Sequence, residues 1–243
     1  MNHKNITDMT TGSSVKHILK FALPLLIGNL FQQLYNMVDS IVVGKFVSAN
    51  ALAAVGACGS MNFLLFSLSS GLAIGIGVIV SQYFGAKDDE HVRMTIANSV
   101  YVLISMAIVT SIVGYIFSPE ILRILQTPKT VIADSITYMR VTCLGVVAIA
   151  IYNGIASILR ALGDSKTPLY FLIVSTIVNV ILDLLFVICF DWRVFGVAFA
   201  TVISQIVAAI TCFIYAYKKI PYFHLNKQQL KPQKDIILNS FRL

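Results

Sequence analysis

The 243-residue chain is 57% hydrophobic and only 12% charged, with a net charge of +7 and a mean hydropathy of +0.82, whereas a soluble domain carries roughly 25% charged residues. This composition excludes a water-soluble fold, and long apolar runs that do not alternate exclude a membrane β-barrel built on segments of about ten residues. Lys and Arg fall in short segments between the runs and in the tail, not on an aromatic-interleaved face, so the charge reflects membrane orientation and not nucleic-acid binding.

Several runs reach the roughly 20 residues a helix needs to cross the hydrocarbon core. They predict an all-α polytopic membrane protein with six spans, at 17–43, 51–83, 93–117, 135–160, 168–190 and 194–217. The first run lacks a small-residue cleavage site, so it reads as a span and not as a secretory signal. It holds Pro24, which removes a backbone hydrogen bond and makes either a packing kink or a hinge. Further along, Gln32, Tyr35, Asn36 and Asp39 follow i, i+3, i+4, i+7 spacing and form one polar stripe.

The second span contains Gly71, Gly75 and Gly77 in G-L-A-I-G-I-G; with no strand before it, this is helix packing and not a dinucleotide fingerprint. Between the third and fourth spans, Pro119 and Pro128 surround a short amphipathic stretch that is expected to lie along the interface. The fifth span carries Asn179 and Asp183 at i, i+4, with Thr176 on the same side, and the sixth offers Thr201, Ser204 and Gln205. After 217 the chain is polar and basic until Ile236, Ile237 and Leu238 begin a new apolar pattern. The reading is therefore a cytoplasmic segment at 1–16, a six-helix lobe at 17–217, and a basic linker with the start of a truncated seventh helix at 218–243.

With the N-terminus inside, only Lys45, Arg123, Lys129, Arg140 and Arg193 of the 18 Lys and Arg residues fall in outer segments. By the positive-inside rule this predicts a cytoplasmic N-terminus in the inner membrane, and it leaves the Asn5 sequon on the wrong side for glycosylation. Cys58, Cys143, Cys189 and Cys212 lie in apolar runs without paired spacing, and the four His occupy termini, loops or a helix start. Neither set forms a disulfide framework or a transition-metal site.

Of the eleven acids, nine fall in loops, tail or helix ends, and only Asp39 and Asp183 lie deeper. An ionised side chain at mid-membrane costs about 2.5–3.5 kcal/mol on insertion scales, so such a residue generally faces an internal cavity. Carboxylate, amide and hydroxyl oxygens suit a hard cation or a proton. Two carboxylates in one poorly solvated site titrate as a coupled pair, so protonation can switch it. The simpler reading is that these groups only join helices, at about 1–2 kcal/mol each in model peptides.

Pro24 with Asp39, Gln82 to Lys87 (Q-Y-F-G-A-K) after the second span, and Arg160 to Pro168 (R-A-L-G-D-S-K-T-P) before the fifth resemble the multidrug and toxic compound extrusion family. The resemblance covers essentially the whole chain as that family's amino-terminal six-helix lobe, and implies a missing carboxy-terminal lobe or a second copy as partner, beside membrane lipid. It implies no cofactor, a Na+ or H+ coupling ion held by Asp39, Asn179, Asp183 and Thr201, and a small-molecule drug substrate beside Gln32, Tyr35, Asn36 and Asn153. The implied activity is export of amphipathic, often cationic drugs in exchange for the cation. Two alternatives remain: a flippase for lipid-linked saccharides, which would want basic residues in its cavity, and an intramembrane aspartyl protease using Asp39 and Asp183, although the Gly-x-Gly-Asp motif of such enzymes is absent.

Overall fold

A computed structural model describes residues 14–226 and 229 of the chain. The expected seventh-helix start and the Asn5 sequon lie outside these residues. Among the described residues eight α-helices follow in order: α1 (Ser14–Phe46), α2 (Ala49–Ala57), α3 (Gly59–Gly85), α4 (Asp89–Ile116), α5 (Ser118–Ile124), α6 (Ile132–Ala161), α7 (Lys166–Leu184) and α8 (Arg193–Lys219). Five stretches among the described residues are long and apolar enough to cross a membrane, with α2 and α3 counting as one and α7 extended by a π-helical turn over Leu185–Cys189. The 33 residues of α1 reach about 50 Å at 1.5 Å per residue. Its length suffices to span, but Asn29, Gln32, Gln33, Asn36 and Asp39 hold down its apolarity.

Local chemistry sets the boundaries. Ser48 Oγ accepts the Ala51 amide (3.1 Å) to start α2, and Asp88 Oδ1 accepts the His91 amide (3.1 Å) to start α4. In the R-A-L-G-D-S-K-T-P motif, Gly163 takes φ 91°, a conformation costly for any residue with a Cβ. The turn it makes lets Asp164 accept from both the amide (3.0 Å) and the hydroxyl (2.6 Å) of Thr167. Pro168 then sits in the first turn of α7, where its missing N–H breaks no helical bond, and its carbonyl accepts the Tyr152 hydroxyl at 2.9 Å. The amphipathic stretch between the third and fourth spans is α5, with Leu122 fully buried and Ile124 79% exposed.

The bundle is organised around α6, which packs on α2, α3, α4, α5, α7 and α8. Of its most apolar stretch 72% is buried, against 28% for α7. In lipid no hydrophobic force draws spanning helices together, so close approach and hydrogen bonds must do it. Four of the six closest glycine contacts involve α6: Gly77 lies against Ser157, Gly154 against Leu103, a side chain at Gly114 would meet Cys143 Sγ at 2.6 Å, and one at Gly145 would meet Val202 Cγ2 at 3.0 Å. Hydroxyls add cross-links, Ser111 Oγ to the Cys143 carbonyl (2.7 Å) and Ser175 Oγ to the Ser204 carbonyl (2.8 Å). After α8, the Tyr222 hydroxyl donates to Asp89 Oδ1 at 2.7 Å and Arg93 donates to the His224 carbonyl at 2.8 Å, tying the segment beyond the bundle to the start of α4.

Candidate functional site

A cavity of about 1200 Å³ opens between α1, α3, α6, α7 and α8. The polar stripe of α1 faces it: Gln32, Tyr35, Asn36 and Asp39 all line it, as do Pro24 and Asn153. Asn153 is buried and its amide nitrogen has no hydrogen-bond partner among the described residues. Asn36 is exposed to the cavity, and its carbonyl accepts the Ser40 hydroxyl at 2.9 Å.

Asn179 and Asp183 lie behind the cavity wall, both fully buried. They stand one turn apart on α7, and the Asp183 carboxyl faces that of Asp39, which is 5% exposed. Thr201 on α8 completes the group: its hydroxyl lies 3.4 Å from Asp39 Oδ2 but only 3.0 Å from the Val197 carbonyl, so its single proton is contested. Thr176 spends its hydroxyl on the Leu172 carbonyl within its own helix, at 2.9 Å. Thus the four residues expected around the cation converge from α1, α7 and α8, and Asp39 alone of the two acids also reaches the cavity.

The hydrogen-bond accounting of this cluster is unusual. Asp39 Oδ1, both carboxyl oxygens of Asp183, both side-chain polar atoms of Asn179 and the Tyr35 hydroxyl are buried and have no partner among the described residues. Buried polar groups are nearly always paired. Two ionised carboxylates are acceptors only and can be joined only by a proton or a cation. Among the described residues no Lys or Arg pairs with them; the ion pairs there are Asp88 with His91 and Asp191 with Arg193, both at helix ends. The donor set is oxygen with one amide, the chemistry of a hard cation.

Sequence reasoning missed part of the wall. Beside the expected Asn153, Tyr138, Thr142, Gly145, Ile149, Ser157 and Arg160 of α6 also line the cavity. Their spacing of three and four residues is a helical face, and the small and polar residues on it were the available signal. Tyr138 lies within electrostatic reach of both Asp39 and Asp183. Arg160 brings to the cavity a basic group that its position at the end of a predicted span had concealed.

An all-helical bundle with five membrane-length apolar stretches among the described residues, a cavity and paired buried acids defines the class: a polytopic membrane protein. The model of the MatE family matches residues 24–185, and the chain belongs to that family. It is 32% identical over 230 residues to the "Probable multidrug resistance protein YoeA" of Bacillus subtilis strain 168, covering 92% of this chain and 50% of that protein. It is 25% identical over 228 residues to the multidrug export protein MepA of Staphylococcus aureus strain RF122 / ET3-1, covering 94% and 51%. A crystal structure of MATE in the bent conformation superposes with a TM-score of 0.89 at 24% identity, over 95% of this chain and 52% of that one. The chain therefore spans about half the length of the relatives it matches. The family consists of multidrug efflux transporters and not enzymes, which sets aside the aspartyl protease reading.

Proposed function

We propose that this six-helix lobe carries the coupling site of a Na+- or H+-driven antiporter that exports amphipathic, often cationic compounds. The observation that carries the reading is the position of Asp39, which shares a buried cluster with Asp183 and also lines the cavity. A cation or proton joining the two carboxyls changes the charge presented to the cavity by the same side chain that a cationic substrate would approach. Occupancy and substrate then compete through Asp39. Asn179 and Thr201 complete the cation's oxygen ligands, while Gln32, Tyr35, Asn36 and Asn153 hold the substrate. The two occupancies favour different packings of α1, with Pro24 as the bend, and each ligand shifts the population toward the packing it binds better.

The lobe works with a second lobe or a second copy and with surrounding lipid, in the inner membrane with its N-terminus cytoplasmic; the distribution of Lys and Arg supports that orientation. In vesicles containing the complete transporter, Asp39→Asn and Asp183→Asn are each expected to abolish drug-stimulated Na+ or H+ flux. Undiminished flux in both variants contradicts the reading.

A further inference from the structure

Arg160 stands in the last turn of α6, partly buried, with its side chain on the cavity. It has no ion pair or hydrogen bond among the described residues. Its nearest acid in sequence, Asp164, has both oxygens engaged by Thr167. Asn153, Ser157 and Arg160 follow i, i+4, i+7 spacing on one face of α6 and all line the cavity, as Ser165 does. Of these, Asn153 is 8% exposed and its amide nitrogen is an unpartnered donor. The wall around them is apolar, with Leu169 and Leu172 on one side and Ile74 and Val78, 56% and 38% exposed, on the other. Among the described residues the only acid lining the cavity is Asp39. It lies within electrostatic reach of Tyr138, which stands 22 residues before Arg160 on the same helix, a rise of about 33 Å along α6 at 1.5 Å per residue.

We infer that the Arg160 end of the cavity is a site for the oxyanion headgroup of an amphiphile, either the phosphate of a lipid or the carboxylate of a drug. A guanidinium presents a rigid fork of donors that matches a carboxylate or phosphate in two-point contact. A partly buried cation with only the Tyr152 hydroxyl and Cys212 thiol as electrostatic neighbours lacks a counter-ion, and an oxyanion supplies one. Asn153 and Ser157 add neutral donors along the same face, and the Leu169, Leu172, Ile74 and Val78 wall accepts the apolar body. The plainer role, a positive charge near the carbonyl end of α6, needs only charge and would be served equally by Lys. The inference does not rest on cation coupling, and its readout is binding, not transport.

The test uses the complete transporter in neutral detergent and counts adducts by native mass spectrometry with three probes: dioctanoylphosphatidylglycerol, an alkyl-chain naphthalene carboxylate, and uncharged dioctanoylglycerol. Arg160→Gln is expected to weaken binding of at least one anionic probe about tenfold or more, since hydrogen bonds to charged groups are the strong ones. Arg160→Lys should fall between, and the uncharged probe should be unaffected. Dependence with the phosphatidylglycerol identifies a lipid source, and dependence with the carboxylate a drug. A measurement on the unaltered protein guards against a folding defect: the bound anionic probe should protect Arg160 from phenylglyoxal, read by peptide mapping. Equal binding by wild type and Arg160→Gln, or equal modification of Arg160 with and without the probes, overturns the inference.

Discussion

Two helices line the same cavity on opposite principles. α6 is the pillar, contacted by six other helices, with glycines at each close crossing and 72% of its most apolar stretch buried. α1 packs mainly on α7 and α2 and turns Leu19, Leu23, Leu26, Leu30, Leu34, Met37 and Ile41 outward, each 46–65% exposed. The difference sets a helix locked by close glycine crossings beside one that runs unbroken through Pro24 with its polar stripe on the cavity; under the proposed function the second is the part that repacks. The acids divide along the same line, since Asp39 rides on α1 and Asp183 on α7.

The sharpest way to break the comparison is to mend α1. Pro24→Ala restores the missing N–H and favours a straight helix by as much as about 3 kcal/mol, roughly hundredfold in population. Drug export by the complete transporter should fall steeply while cation binding persists; unchanged export would reduce Pro24 to a packing kink. The pillar should fail differently. Gly77→Val forces a side chain into Ser157, whose carbonyl lies 3.3 Å from the first added carbon, and should cost about 1–3 kcal/mol by overpacking. Gly71→Ala meets nothing within 4 Å and should change stability by no more than about 0.5–1 kcal/mol. Thermal unfolding in detergent checks the pair, and equal midpoints would show that α6 is not the rigid element.

The smallest effect is expected outside the bundle, where burial, and after it the bond to Asp89, pushes the Tyr222 phenol from 10.0 up to about 12. The folded value is the higher one, so this contact contributes fully below pH 10 and is lost as pH rises from 10 toward about 12. The phenolate absorbance difference between wild type and Tyr222→Phe should rise in that window and not near pH 10.

The spans were legible because lipid demands continuous apolar runs, and each predicted span lies within a few residues of its helices. The break at Cys58 between α2 and α3 and the π-helical turn after Leu184 left no mark, since both lie inside uninterrupted apolar sequence. The acids stood out because charge is costly in lipid, and the helical period gave the α1 stripe. Which residue faces the cavity and which lies behind it was not legible: Asn179 and Asp183 share a helix face with Thr176, yet the depth of that face is set by α1 and α8, far away in sequence. Arg160 escaped because a basic residue at a span end ordinarily reports orientation alone.

Under the proposed function Asp39 and Asp183 hold one cation or proton between them. Equilibrium binding of radiolabelled sodium to the purified complete transporter, with proton release recorded in the same sample, tests it most directly. The wild type should show either saturable sodium binding or proton release on adding substrate, and Asp183→Asn should lose it. Identical sodium binding and proton release in wild type and Asp183→Asn would contradict it.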